Sequence, residues 1–214
     1  MVFNIPNGLF LYHKINCMTK AERTRQHIIE KTAPLFNKNG FSGTSLNDIT
    51  EATGLTRGGI YGNFESKDEV ALAAFDYNFS QINTVIAAKM KEYQKATDKL
   101  LVYLTIFSNP QLAPVLLNGC PVLNTATEAD DTHPELRKKV VIALHRWQRN
   151  IEGIIKEGQE LKQLRKKIDA PAFALTFIAL IEGGIMITKA TGRNDGVDAA
   201  FMMLRSMIKD LKKK

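Results

Sequence analysis

Cysteine is scarce in this chain, with two in 214 residues, Cys17 and Cys120. That is too few for a disulfide framework. The histidines are scattered, and only His133 lies near a carboxylate pair, Asp130 and Asp131. That spacing suits the loop before a helix better than a metal site, so no metal and no cofactor are expected. No Ser-His-Asp arrangement with a spacing signal and no glycine-rich phosphate loop occurs, which argues against an enzyme. Strand signals are almost absent while helix caps recur, and this excludes sheet-based folds. The first 17 residues, MVFNIPNGLFLYHKINC, have an apolar run but neither a basic start nor a small-residue cleavage site, so a signal peptide is not expected. Met18 stands just before a well-formed helix start. Residues 1–18 therefore read as an extension, non-native or flexible, or an arm added to the domain. With no export signal and so few cysteines, the expected location is the cytoplasm.

The apolar share of 44% is enough for a real core. Net charge is +7, which suits a polyanionic partner without proving one. The excess lies in runs such as Lys162–Lys167 and the tail Lys212–Lys214, which read as solvated surface. Residues 19–68 hold seven Lys/Arg and six Asp/Glu and are nearly neutral.

Thr19 to Glu22 forms a capping box that opens a helix running to Asn39, where Gly40 stops it. Pro34 inside that helix is expected to kink it, and Phe41 to fold back onto the core. Thr44 and Ser45 cap a short run, Leu46 to Thr53, that ends at Gly54, and Thr56 caps a second run ending near Phe64. Two short helices joined by a tight turn have the layout of a helix-turn-helix, which sets one helix into the major groove of DNA. Ser66 to Glu69 is another capping box and opens a long helix to about Tyr93. Further helices are expected over 96–107, from Pro121, from Pro134 to about Gly158, over 170–187 and over 195–211. The stretch Ala170–Ile187 nears a membrane span in length, but Glu182 would then lie in lipid, so no membrane partner is expected. A helix apolar on most sides is otherwise buried from two directions. The last two helices can pair with their copies in a four-helix dimer interface, with Phe173, Gly183, Gly184, Phe201, Leu204 and Ile208 as the contact residues.

Residues 19–70 resemble the tetracycline-repressor (TetR) family of bacterial transcription regulators. The likeness rests on Gly40-Phe41, Thr44-Ser45, Ile49, Gly54-Leu55-Thr56, Gly58, Ile60-Tyr61, Phe64 and Ser66-Lys67. It departs at Thr50, where the family commonly has Ala, and at Asn63, where His or Tyr is usual. The fold expected is all-α: an N-terminal three-helix helix-turn-helix DNA-binding domain over 19–68 and a C-terminal helical ligand-binding and dimerisation domain over 69–214. Thr44, Ser45, Tyr61, Asn63 and Lys67 are candidate phosphate contacts, with Thr56 and Gly59 beside them. The resemblance places Asn47, Arg57 and Gly58 nearest the base edges. Arg57 is the strongest candidate, because its fork matches guanine O6 and N7.

The resemblance further implies a homodimer on a palindromic double-stranded DNA operator and a small-molecule effector whose binding shifts the long helix after residue 66. Candidate pocket residues are Phe107, Leu116, Val122, Leu123, Trp147, Phe177 and Ile181. Their character suggests an apolar or aromatic effector, although the same residues suit plain core. Cys120 caps a helix, where the dipole lowers a thiol's pKa, and Gly119-Cys120 followed by Glu128 looks similar to repressors that sense electrophiles. A ligand-responsive repressor is the leading reading. A thiol-reactive sensor repressor using Cys120 and a ligand-independent DNA-binding activator stay open beside it.

Overall fold

A computed structural model describes residues 18–213, so all but Met18 of the extension read over residues 1–18 lies outside the described residues. Among the described residues every helix or strand of more than an isolated bridge is helical. Helix α1 spans Lys20–Asn39 and opens on its capping box: Thr19 Oγ1 accepts the Glu22 N–H at 3.2 Å, and Glu22 Oε2 accepts the Thr19 N–H at 2.7 Å. The helix runs unbroken through Pro34, which is exposed. Then follow α2 (Leu46–Thr53), α3 (Arg57–Tyr61), α4 (Lys67–Met90) and α5 (Ala96–Ser108). A 3-10 turn over Pro114–Asn118 leads to α6 (Pro121–Ala129), α7 (Pro134–Glu160), α8 (Ala170–Thr191) and α9 (Asp195–Asp210).

Apolar residues collect into two clusters. The smaller holds Ile28 of α1, Ile49 of α2, Ile60 of α3, and Phe64 and Val70 around the start of α4. It fixes the angle between the short helices. The larger fills the space among α4 to α9 and includes Phe79, Leu104, Trp147, Phe177 and Leu204. Helix α4 belongs to both, through Val70 at its start and Phe75, Phe79, Ile82 and Ile86 farther along.

The junction between the clusters is polar and specific. Gly40 ends α1 with φ +76°, a left-handed value, and its N–H donates to Phe36 O. The next two N–H groups, of Phe41 and Ser42, donate to the Glu128 carboxylate of α6 at 2.7 and 2.8 Å. A Cβ on Gly40 would stand 2.4 Å from a Glu128 oxygen. Gly40→Ala therefore adds both backbone strain and a collision, and is expected to cost roughly 1–3 kcal/mol. Thermal or urea unfolding checks this; an unchanged stability would mean that the turn and α6 give way freely.

Helices α8 and α9 pack closely against each other. A Cβ on Gly184 would meet Ala200 and the Gly196 carbonyl at 3.0 Å, and one on Gly196 would meet Ile187 at 2.6 Å. Phe201, Leu204 and Ile208 are buried within the chain's own core. The expectation that Gly184, Phe201, Leu204 and Ile208 form a dimer face is thus corrected: they are used to seat α9 on α8 and the core. Phe173 is half-buried against Phe177, with ring centroids 5.8 Å apart. Only Gly183 of the six has open space where a side chain would be. The outward face carries other apolar residues, Leu175, Ala179 and Met186 on α8 and Met202 and Met203 on α9. Helix α8 is long and apolar enough to cross a membrane by length and composition, yet it buries Phe177, Ile178, Ile181 and Glu182 inside the protein.

Candidate DNA interface and effector core

The helix-turn-helix is assembled from local signals. Ser45 is the cap of α2: its Oγ accepts the Asp48 N–H at 3.2 Å, while Asp48 Oδ2 accepts both the Ser45 N–H and its hydroxyl at 2.7 Å. The Ser45 hydroxyl and N–H hold the Asp48 carboxyl below its ordinary range. This leaves the N–H groups of Leu46 and Asn47, the first two of the helix, as the ones a phosphate would meet. Thr44, one residue earlier, is fully buried and its hydroxyl donates to Gly40 O at 2.7 Å. Its expected role as a phosphate contact is corrected, since its oxygen faces inward and already has a partner.

Thr56 caps α3 by accepting the Gly59 N–H at 3.1 Å. Arg57 and Asn47 are both exposed, and the guanidinium donates to Asn47 Oδ1 at 2.8 Å. The two candidate base readers therefore arrive as a pair from separate helices. A Cβ on Gly58 would meet nothing nearer than Thr56 Oγ1 at 3.9 Å. Neither Gly58 nor Gly59 has a positive φ. Nothing inside the protein demands glycine at Gly58, so what it spares is space on the outer face. Tyr61 is exposed beside it. Asn63 is half-buried and its amide donates to Gly59 O at 2.9 Å.

Lys67 sits at the start of α4, but its ammonium donates to Phe41 O at 2.8 Å and Thr44 O at 3.0 Å and lies 4.1 Å from the centre of the Phe41 ring. Its expected phosphate contact is corrected too. The charge is spent on the carbonyls of the turn before α2, which ties α4 to the reader. Arg25 of α1, absent from the sequence reading, plays a similar part: it donates to the Asn63 carbonyl, pairs with Glu69 at 2.5 Å and stacks 3.9 Å over Phe64. Thr50 places its hydroxyl on Asn47 O at 2.8 Å, so this departure from the family is satisfied within its own helix.

A chain of amides links the reader to the larger cluster. Asn37 of α1 donates to Val115 O and Gly119 O, and Asn124 of α6 donates back to Asn37 O and Oδ1, at 2.8 to 3.1 Å. Lys189 of α8 donates to Asn124 Oδ1 at 2.9 Å. His133, capping α7, faces Asp68 of α4 at 3.0 Å. These contacts join residues far apart in sequence, and only their amide and carboxylate character was visible beforehand.

At the centre of the larger cluster lies a nearly filled cavity lined by Tyr103, Phe107, Trp147, Ile151, Phe177, Ile178, Ile181 and Glu182. Its free volume of about 10 Å³ is room for about one water. Four of the residues expected in the pocket, Phe107, Trp147, Phe177 and Ile181, meet here. Leu116 lies instead in a neighbouring open groove of about 440 Å³, which Phe107 and Cys120 also line. Val122 and Leu123 line neither, and this corrects their placement: they face the packing around α6. Tyr103 and Glu182 were missed. The signal for Glu182 was a lone acid in the most apolar stretch of the chain.

Burial pushes the Glu182 carboxyl up to about 7. Neither oxygen makes a hydrogen bond of ordinary geometry among the described residues, and the Cys120 thiol lies beside it as a weak donor. Cys120 is wholly buried, and its thiol is pushed well above the ordinary 9.0, first by burial and then by the neighbouring Glu182. The expectation of a reactive Cys120 is corrected: the helix cap that would lower its pKa is outweighed by desolvation and an adjacent carboxylate.

The relatives agree with this architecture. The family model for bacterial regulatory proteins of the tetR family matches residues 28–74, and the tetracyclin repressor-like C-terminal domain model matches residues 96–204. A solved TetR-family regulator from Cytophaga hutchinsonii superposes with a TM-score of 0.88 at 46% identity, covering 92% of this chain and 98% of that one. Another, from Chloroflexus aurantiacus J-10-FL, gives 0.85 at 35% identity, covering 91% and 98%. The HTH-type transcriptional repressor DhaR of Mycobacterium sp. (strain GP1) is 25% identical over 81% of this chain and 86% of its own length. With its capped helix-turn-helix, its all-helical core and these matches, the chain belongs to the tetracycline-repressor (TetR) family and is a DNA-binding transcriptional regulator, not an enzyme.

Proposed function

We propose that this regulator is an effector-responsive repressor in which residues 19–68 read a palindromic operator and residues 69–214 hold the effector and the dimer contact. The observation that carries the reading is the outer face of α3: a bare Gly58 next to an exposed Arg57 already oriented by Asn47. A backbone without side chains approaches the groove closely, and the Arg fork can then reach a guanine edge. Ser45, Tyr61 and the first N–H groups of α2 would position the pair on the phosphates. The dimer face is the outward stripe of α8 and α9, Leu175, Ala179, Gly183, Met186, Met202 and Met203. An exposed apolar stripe of this length favours a partner surface. Regulators of this family act on DNA as dimers, and the site of action is the cytoplasm, where the DNA is.

The effector reading is supported by the aromatic cavity and by the way its walls reach the reader. Helix α4 takes part in both apolar clusters, and α6 begins beside Glu182 and ends at Glu128, which holds the Phe41 and Ser42 N–H groups. An effector that prefers an opened cavity would displace these helices and change the spacing of the two readers. Operator affinity falls to the extent that the effector prefers that state.

Arg57→Ala is expected to relax base preference at one position per half-site, by roughly 1–3 kcal/mol, with overall folding intact. Selection of binding sites from a random DNA pool checks this. An unchanged preferred sequence would remove Arg57 from base reading.

A further inference from the structure

Glu182 is a buried acid whose near neighbour is the weakly donating Cys120 thiol. Its residue is 9% exposed, neither oxygen makes a hydrogen bond of ordinary geometry among the described residues, and no Lys or Arg lines the cavity it borders. A buried acid gains most from a cation that pairs with it, because without one it must give up its charge or bear the cost of burying it. The other walls are the rings of Tyr103, Phe107, Trp147 and Phe177 with three Ile side chains. Ring faces attract cations, most strongly when water is excluded, and Trp is the best of them. A carboxylate and four aromatic rings around one point form a receptor for positive charge.

We propose that the effector of this regulator is a small organic ammonium ion, whose cationic head is held by Glu182 within the aromatic cavity and whose body lies toward the Cys120 groove. This rests on the effector reading above and narrows its chemistry beyond the apolar or aromatic molecule suggested by the lining residues alone. Phe107 borders both the closed cavity and the open groove of about 440 Å³, so rotation of its ring would join them. The groove is walled by Leu116, Leu117 and Ile185, with Lys38, Lys189 and Asp198 along it. Lys189 is tied to Asn124, so displacement here would be felt in the Asn37–Asn124 bridge to the reader. The closed cavity has no room for such a head, so entry must open it, and that opening is the change an effector needs to produce.

Trp147 is the chain's single tryptophan and lines the cavity, so its fluorescence reports occupancy. The probes are tetramethylammonium, phenethylammonium and phenyltrimethylammonium, the last set against its uncharged isostere tert-butylbenzene. The full-length protein is expected to bind at least one cation at least roughly tenfold more tightly than tert-butylbenzene. Glu182→Gln is expected to erase that preference while keeping its helical content. If tert-butylbenzene binds as well as every cation, if no cation changes the fluorescence, or if Glu182→Gln keeps the preference, the proposal falls. Gel shifts separate this failure from that of the wider reading. Release of operator by the neutral compound alone would leave an effector-responsive repressor with a different ligand class.

Discussion

A protein carrying Ala179→Arg is expected to sediment as a monomer and to bind its operator ~100-fold or more weakly, since two linked readers gain that much over one. Ala179 lies on the outward face of α8, between Leu175 and Met186, and is exposed among the described residues. An arginine there stays solvated in the monomer, so folding is unaffected. In a dimer built on this stripe, two arginines would face each other across the symmetry axis without counter-charges, and burying them is costly. The reader is untouched, because Ile28, Ile49, Ile60 and Phe64 form a separate cluster. Analytical ultracentrifugation, circular dichroism and an operator titration together check the result. A dimer that survives the substitution would move the interface elsewhere on the molecule.

The second large effect concerns pH. Glu182 has its folded pKa raised to about 7 from an ordinary 4.5. Between those values the folded protein holds a proton that the unfolded chain has released, so stability falls as pH rises from 4.5 to 7. The full difference is about 3 kcal/mol above pH 7, at about 1.4 kcal/mol for each pKa unit. The facing titratable groups are Cys120 and Tyr103, both pushed upward by burial. They stay neutral through this window and leave the slope to Glu182. Glu182→Gln is expected to remove this fall. Its melting temperature relative to the parent should therefore rise by roughly 6–12 °C on going from pH 4.5 to 8. Parallel melting curves across that range would refute the assignment. A bound ammonium ion would compensate the charge, so the same penalty should shrink in the parent when a tight cation is present.

Much of the reader was legible along the chain. Thr19, Ser45, Thr56, Ser66, Gly40 and Gly54 act through contacts within about one helical turn of themselves, and they stand where the helices begin and end. The same holds for Pro121 in the first turn of α6 and His133 before α7. Long-range partners were not legible in this way. Thr44 and Lys67 look like phosphate ligands when read by type, yet the fold brings carbonyls to both. Phe201, Leu204 and Ile208 have the right spacing for an interface, but spacing cannot say whether an apolar face meets its own chain or a copy.

By itself, then, the sequence determined that the protein is all-helical, where most helices start and stop, and that residues 44–67 make a helix-turn-helix. Caps, turns and periodicity are short-range, and their energies are written in neighbouring residues. The tertiary structure alone decided that Glu128 clasps the α1–α2 turn, that Cys120 is shielded, and that Glu182 lines a cavity with four aromatic rings. Desolvation and side-chain pairing depend on what the other helices bring into contact, and residues more than fifty positions apart meet only once the chain has folded.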